Sequence, residues 1–144
     1  MRINGKWLLC DDGIVRPIIR GEIRTGTGSW VVVEFLVDTG ADRTVLSATT
    51  LTAFNLHPTT TQDRLGGLGG LVSIVSVETQ IRFRHESGGR AVFHGRYAAI
   101  TEKEALDMSV LGRDITSLFA VIVDQPGNTV CLLSQRHHYT IARQ

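Results

Sequence analysis

The residues best suited to chemistry lie in one short run. Residues 35–46 read Phe-Leu-Val-Asp-Thr-Gly-Ala-Asp-Arg-Thr-Val-Leu, an apolar run that stops at an acid, Asp38, and bends at once. A strand that carries a carboxylate at its mouth fixes that carboxylate in space. Gly40 frees the backbone to turn and to approach another group closely. Thr39 offers a hydroxyl that can brace the loop. An acid held in this way can act on water if a second carboxylate stands beside it. Two acids about 3 Å apart cannot both ionise, so they share one proton; one is base to the water and the other is acid to a carbonyl. Taken alone, Asp-Thr-Gly reads better as an acid that starts a turn.

The elements that must position this run are mostly strands. Residues 30–37, Trp-Val-Val-Val-Glu-Phe-Leu-Val, are β-branched and aromatic and nearly continuous in apolar character, which predicts a strand buried on both faces. Ser47 has the character of a helix N-cap and opens a short helix to about Phe54. Residues 55–62 are polar and threonine-rich and predict a loop. In residues 72–84, Val75, Val77, Ile81 and Phe83 face one way, and Ser76, Glu78, Arg82 and Arg84 the other, as in a half-buried strand. Residues 85–90 turn it, and residues 91–100 return with Phe93, Tyr97 and Ala99 on one face. Residues 102–107 suit a helical turn. Residues 110–115 lead into a short helix that ends near Phe119. Residues 119–134 predict a hairpin with Pro126-Gly127 at the centre of a type II turn. Residues 139–142 suit a last short strand.

The chain has 144 residues and a formal net charge of +1. That length carries a core of its own. The charge offers no long-range field for nucleic acid or an anionic membrane. Cys10 and Cys131 make no disulfide framework and are expected as reduced thiols, Cys131 buried in a strand. The first twelve residues do not form a signal peptide, and no window reaches the length of a membrane-spanning helix. Cytoplasmic residence is the expectation. The histidines have no ligand spacing beyond His85 with His94 and an adjacent pair at 137–138, so neither a metal nor another cofactor is expected.

Three separated segments together resemble the retropepsins, the retroviral-type aspartic proteases. The first is Leu36-Val37-Asp38-Thr39-Gly40-Ala41-Asp42, continued by Thr44-Val45-Leu46. The second is Gly66-Gly67-Leu68-Gly69-Gly70, similar to the family's flap tip. The third is Val110-Leu111-Gly112-Arg113-Asp114, similar to the family's apolar pair, glycine and helix-starting arginine. The resemblance implies an all-β fold: a closed β-barrel, an acid-protease half, with a flap hairpin and a short helix on the C-terminal side. It implies one domain over residues 1–144, with the core at about 14–118 and a hairpin extension at 119–144, and leans to a cellular, bacterial member.

The same resemblance assigns roles. Asp38 is similar to the catalytic acid, Thr39 to the threonine that braces two active-site loops across a dimer, and Gly40 to the glycine whose carbonyl meets substrate backbone. Ala41 and Asp42, with Gly66, Gly67, Leu68 and Gly69 of the flap, fall at substrate-binding positions, and Leu111, Gly112 and Arg113 support the site. Asp42 and Arg113 could instead be a structural ion pair alone. The glycine run could be a surface loop, but a phosphate loop would end in Gly-Lys-Ser/Thr before a helix, and here an alternating strand follows.

Only one Asp-Thr-Gly is present, whereas the chemistry needs two carboxylates, so the resemblance implies a homodimer with Asp38 of each chain at a two-fold axis. The partners expected are a second copy and an extended peptide or protein substrate, with no nucleic acid and no membrane. Hydrolysis would proceed by general acid–base activation of water. The alternative is a non-catalytic retropepsin-like module for peptide binding or dimerisation. Two departures from the viral pattern stand out. Arg43 follows Asp42 where many relatives carry a second acid. Residues 113–144 after Gly112 exceed the viral length and form a hairpin, so the viral dimer's shared terminal sheet does not transfer directly.

Overall fold

A computed structural model of the chain describes residues 1–67, 70–136 and 138–143, with residues 60–67 described by their backbone only. In chain order the elements are β1 (Arg2–Asn4), β2 (Lys6–Leu9), β3 (Val15–Arg24), β4 (Trp30–Val37), β5 (Val45–Leu46), α1 (Ala48–Ala53), β6 (Pro58–Gly67), β7 (Gly70–Arg84), β8 (Arg90–Ile100), β9 (Ser109–Leu111), α2 (Arg113–Thr116), β10 (Ala120–Asp124) and β11 (Thr129–Leu133). One sheet runs β2-β3-β4-β9-β5-β8-β7-β6. β3 also pairs with β7, through Glu22–Arg82 and Ile23–Ile81. That pairing closes the strands from β3 round to β7 into the β-barrel the resemblance implies, with β2 and β6 outside the ring. Most neighbours are antiparallel, but β4 runs parallel to β9 and β5 parallel to β8.

The barrel is filled by alternate residues of its strands. Ile19 and Ile23 of β3, Val33, Phe35 and Val37 of β4, and Val75, Val77, Ile81 and Phe83 of β7 share one buried cluster with Leu46, Leu111 and Ile115. The inward faces of β7 and β8 are those the alternation predicts. Phe35, Phe83, Phe93 and Phe119 run edge to face through the cluster, with centroids 5.9, 6.1 and 6.0 Å apart. Each such pair adds roughly 1 kcal/mol beyond its burial.

The ends of the chain join this body. β1 pairs with β11, and β11 with β10, in a three-stranded sheet. Ile3, Val130 and Leu132 from that sheet sit in the same buried cluster as Phe35. β1 and β11 therefore pair within one chain, an arrangement for which the sequence offers no expectation.

Several expectations are corrected. β4 alternates: Val33, Phe35 and Val37 are buried, while Val32 is 51% exposed. Its inner face meets the core and its outer face is partly open, so an apolar run here reports strand propensity more than double burial. Residues 58–62 belong to β6 and are not loop. Pro58 opens an edge strand whose pairing with β7 is irregular between Thr59 and Asp63, a place where a missing backbone donor is tolerated. Residues 102–107 hold the single turn expected, with Ala105 N–H bonding Glu102 O at 3.2 Å. The hairpin at 119–134 is present, but its turn is not type II. Gly127 is not at positive φ; Asn128 is, at 49°. Asn128 N–H bonds Gln125 O at 3.0 Å, and the Asp124 carboxylate accepts from Gly127 N–H at 3.0 Å. The aspartate side chain thus organises the turn and passes the left-handed residue to asparagine. Residues 139–142 form no strand.

Candidate active site

Asp38 stands at the open end of β4. The parallel pairing of Val37 with Leu111 is extended by one bond, from Asp38 N–H to Leu111 O at 3.2 Å. The chain then turns tightly. Ala41 N–H returns to Asp38 O at 3.2 Å, and Gly40 N–H donates to Asp38 Oδ1 at 2.9 Å. One carboxylate oxygen is thereby oriented by the backbone of its own loop, and Asp38 remains half-buried with the mouth beside it exposed at Thr39 and Gly40. Gly40 does not occupy a positive φ, and a Cβ there would meet nothing nearer than Asp38 Oδ1 at 3.2 Å. That approach is tight, so a side chain at this position would press on the carboxylate that the loop orients.

α2 clamps this loop from behind. Arg113 N–H bonds Ala41 O at 2.9 Å, its guanidinium donates to Thr39 O at 2.8 Å, and the same guanidinium pairs with Asp42. The Asp42 carboxylate is 86% exposed, so the pair adds little stability by charge alone. Its value is positional, because one planar cation holds the loop at two points. Gly112 lies against the Arg43 backbone so closely that a Cβ would overlap it. Leu111 is fully buried beneath.

Two residues given no role at the sequence level complete the clamp. The Thr44 hydroxyl donates to Asp114 Oδ1 at 2.7 Å and accepts from Gly112 N–H at 3.1 Å, while Thr44 N–H donates to the same Asp114 oxygen at 2.9 Å. Thr44 is fully buried. A polar residue between Arg43 and the apolar Val45-Leu46, and an acid in the first turn after Gly112, were the available signals. Further back, Ser109 Oγ accepts from Ser47 N–H at 3.0 Å and meets Thr50 Oγ1 at 3.1 Å, tying the start of α1 to β9.

The structure therefore joins the first and third sequence segments: Asp38, Thr39, Ala41 and Asp42 on one side, Leu111 and Arg113 on the other, with Gly40 and Gly112 between. The second segment lies at a hairpin tip, as its glycine pattern predicts. Gly66 pairs with Leu71 and Gly67 with Gly70, which sits at φ 98°. Leu68 and Gly69, expected at the tip itself, lie outside the described residues. No described hydrogen bond connects this hairpin to the Asp38 loop. A single chain presents one Asp38 carboxylate; the Thr39 hydroxyl has no hydrogen bond among the described residues. Among those residues no group of three or more His, Cys, Asp or Glu is placed to hold a metal ion, and no helix is long and apolar enough to cross a membrane.

Comparison with known proteins bears on the family and the fold. A family model described as aspartyl protease matches residues 21–115. No curated protein matches the chain. Among solved structures, the chain is similar to the EIAV protease complexed with the inhibitor HBY-793, at 22% identity and TM-score 0.50, over 71% of this chain and 86% of that one. It is also similar to a retropepsin-like aspartic protease from Rickettsia conorii, at 17% identity and TM-score 0.51, over 92% of this chain and 88% of that one. At these identities the structural likeness speaks to the fold.

Proposed function

The chain belongs to the aspartyl protease family, and from that premise we propose that it is an endopeptidase whose active site forms when two copies bring their Asp38 carboxylates together. The observation that carries this reading is the state of Asp38 in one chain. It is a half-exposed acid, oriented by Gly40 N–H, at the end of a strand locked by β9 and α2, and its chain supplies no second Asp-Thr-Gly. Thr39, whose hydroxyl has no hydrogen bond among the described residues, and the exposed Gly40 suit close approach by a partner loop.

In the dimer the paired carboxylates hold one proton between them. The ionised member takes a proton from a bound water as the water attacks the peptide carbonyl. The protonated member supports the carbonyl oxygen, and a proton then passes to the leaving amine. No covalent intermediate forms. Substrate lies extended beside the loop, hydrogen-bonded along its main chain like an added strand. The β6–β7 hairpin with its glycine tip serves as the lid over it. In this reading Asp42, largely exposed and held by Arg113, meets substrate backbone.

The test is cleavage of a diverse peptide mixture by wild type and Asp38→Asn, read by mass spectrometry from about pH 4 to 7. Cleavage should be present in wild type and reduced by a factor of about 10³ or more in the variant. Cleavage that survives Asp38→Asn would refute the assignment of Asp38. A folded, dimeric wild type that cleaves nothing would favour a peptide-binding or dimerisation module instead.

A further inference from the structure

We propose that a recess between β3 and β7, remote from Asp38, binds a small oxyanionic ligand, a phosphate or carboxylate group, through Arg84, Arg90 and Arg20. β3 and β7 pair only at Glu22–Arg82 and Ile23–Ile81. Beyond Glu22 the strands part, and the opening holds a cavity of about 500 Å³ that includes Arg20, Arg82, Arg84 and Arg90 in its wall. Val32, near the start of β4, also lines it, whereas Asp38 follows the far end of that strand. The separation along an extended strand is about 20 Å, so the recess is not part of the catalytic cleft.

The charges in the recess do not balance. The Arg82 guanidinium is fixed twice, by a hydrogen bond to Glu22 and by stacking 4.0 Å over the Trp30 ring. Arg90 Nε shares the same Glu22 carboxylate at 3.7 Å. Arg20 must share Glu34, at 3.2 Å, with Lys6 at 3.9 Å. Arg84 has no ion-pair partner among the described residues, and it stands directly across from Arg90 in the β7–β8 register. Like charges at opposed cross-strand positions cost stability unless something negative lies between them. Glu86 is the other acid of the wall, against four arginines. The Glu22 carboxyl reports the same field: its Arg82 hydrogen bond holds it below the ordinary carboxylate range, and the Arg90 and Arg84 charges act in the same direction against the opposing effect of burial.

A chain with a net charge of +1 has no general excess of cations to scatter. Here it concentrates them around a concave space. Guanidinium groups recognise planar or tetrahedral oxyanions through paired N–H donors. The volume suits a small molecule bearing such a group. Phosphate and carboxylate ligands share this chemistry, and the recess is built for either.

The test uses the full chain, titrated by calorimetry with inorganic phosphate and separately with succinate, at ionic strength held constant with sodium chloride. The variants are Arg84→Gln, which keeps a long polar side chain at an exposed strand end, and Arg136→Gln, a cation outside the recess. Saturable binding is expected with a dissociation constant of about 1 mM or below. It should weaken about tenfold in Arg84→Gln, the size of one charge-assisted contact, and stay unchanged in Arg136→Gln. Binding of phosphate alone, or of succinate alone, supports the site and identifies its group. Saturation by neither ion overturns the proposal. So does equal affinity in wild type and Arg84→Gln, or an equal loss in Arg136→Gln, since each marks non-specific attraction.

Discussion

At the scale of single residues, the hydroxyl of Thr44 carries more than its size suggests. It bridges the Asp114 carboxylate and the Gly112 N–H, in a position with no access to water. Thr44→Val keeps the shape but leaves a buried N–H without a partner, a loss of about 2 kcal/mol. Denaturant unfolding should show it as a lower midpoint, and Thr44→Ser should recover most of it; an unchanged midpoint in the valine variant would refute the bridge. Tyr97 provides a second test. Its hydroxyl donates to Phe93 O at 2.9 Å. Burial first, and the Asp114 charge second, push it up to about 12. An unfolded tyrosine titrates near 10. Between those values the unfolded chain has lost a proton that the folded chain keeps, so stability falls as pH rises through that window. The contribution is intact below about pH 10 and declines above it. Tyr97→Phe should remove this alkaline slope when stability is followed by circular dichroism, at a cost near neutrality of about 1 kcal/mol for the lost hydrogen bond. A slope that persists in the variant would place its origin elsewhere.

At the scale of elements, the surroundings of the Asp38 loop depend on how two short helices begin. Ser47 caps α1, accepting from Thr50 N–H, and its own N–H donates to Ser109 on β9. Ser47→Ala removes the cap and should lower stability by about 1 kcal/mol, measured as a shift in thermal or denaturant midpoint. No shift would mean that the Ser109–Thr50 contact alone holds the helix start. α2 has no side-chain cap; Gly112 occupies its N-cap position, and the Asp114 side chain turns back to Thr44 instead. That helix is only a turn long and is stable because Ile115 and Thr116 are buried against the barrel. The termini follow the same logic. β1 and β11 are too short to persist alone, and Ile3, Val130 and Leu132 hold them to the body by burial.

At the scale of the whole molecule, one barrel presents one carboxylate, and the proposed chemistry requires two. Specific activity should therefore rise with protein concentration and then level off as dimers saturate, checked by progress curves over a dilution series alongside sedimentation. Activity that stays constant while the protein is demonstrably monomeric would refute the shared site. Much of this was legible in the amino-acid sequence. Asp38-Thr39-Gly40 after an apolar strand, the period-two alternation of residues 72–84 and the Ser47 cap are local signals, set by side chains within a few residues of one another. The matching of three motifs made the family readable as well. Other features required the chain to fold back on itself. Thr44 and Asp114 are seventy residues apart, and their bond exists because β4 and β9 run parallel. Residues 58–62 look like loop because their composition is polar, yet β7 offers a ladder that recruits them as an edge strand. The hairpin turn at 125–128 depends on which group reaches a backbone N–H first, and the Asp124 carboxylate does so ahead of the pattern that Pro-Gly suggests. The arginine recess is not legible in sequence, because Arg20 of β3 meets the Arg84–Arg90 pair of the β7–β8 hairpin only where β3 and β7 part. Sequence by itself determined most of the barrel strands, the Asp38 turn and the family. The tertiary structure decided which distant polar groups satisfy one another, because a buried donor takes whatever acceptor the packed fold brings within reach.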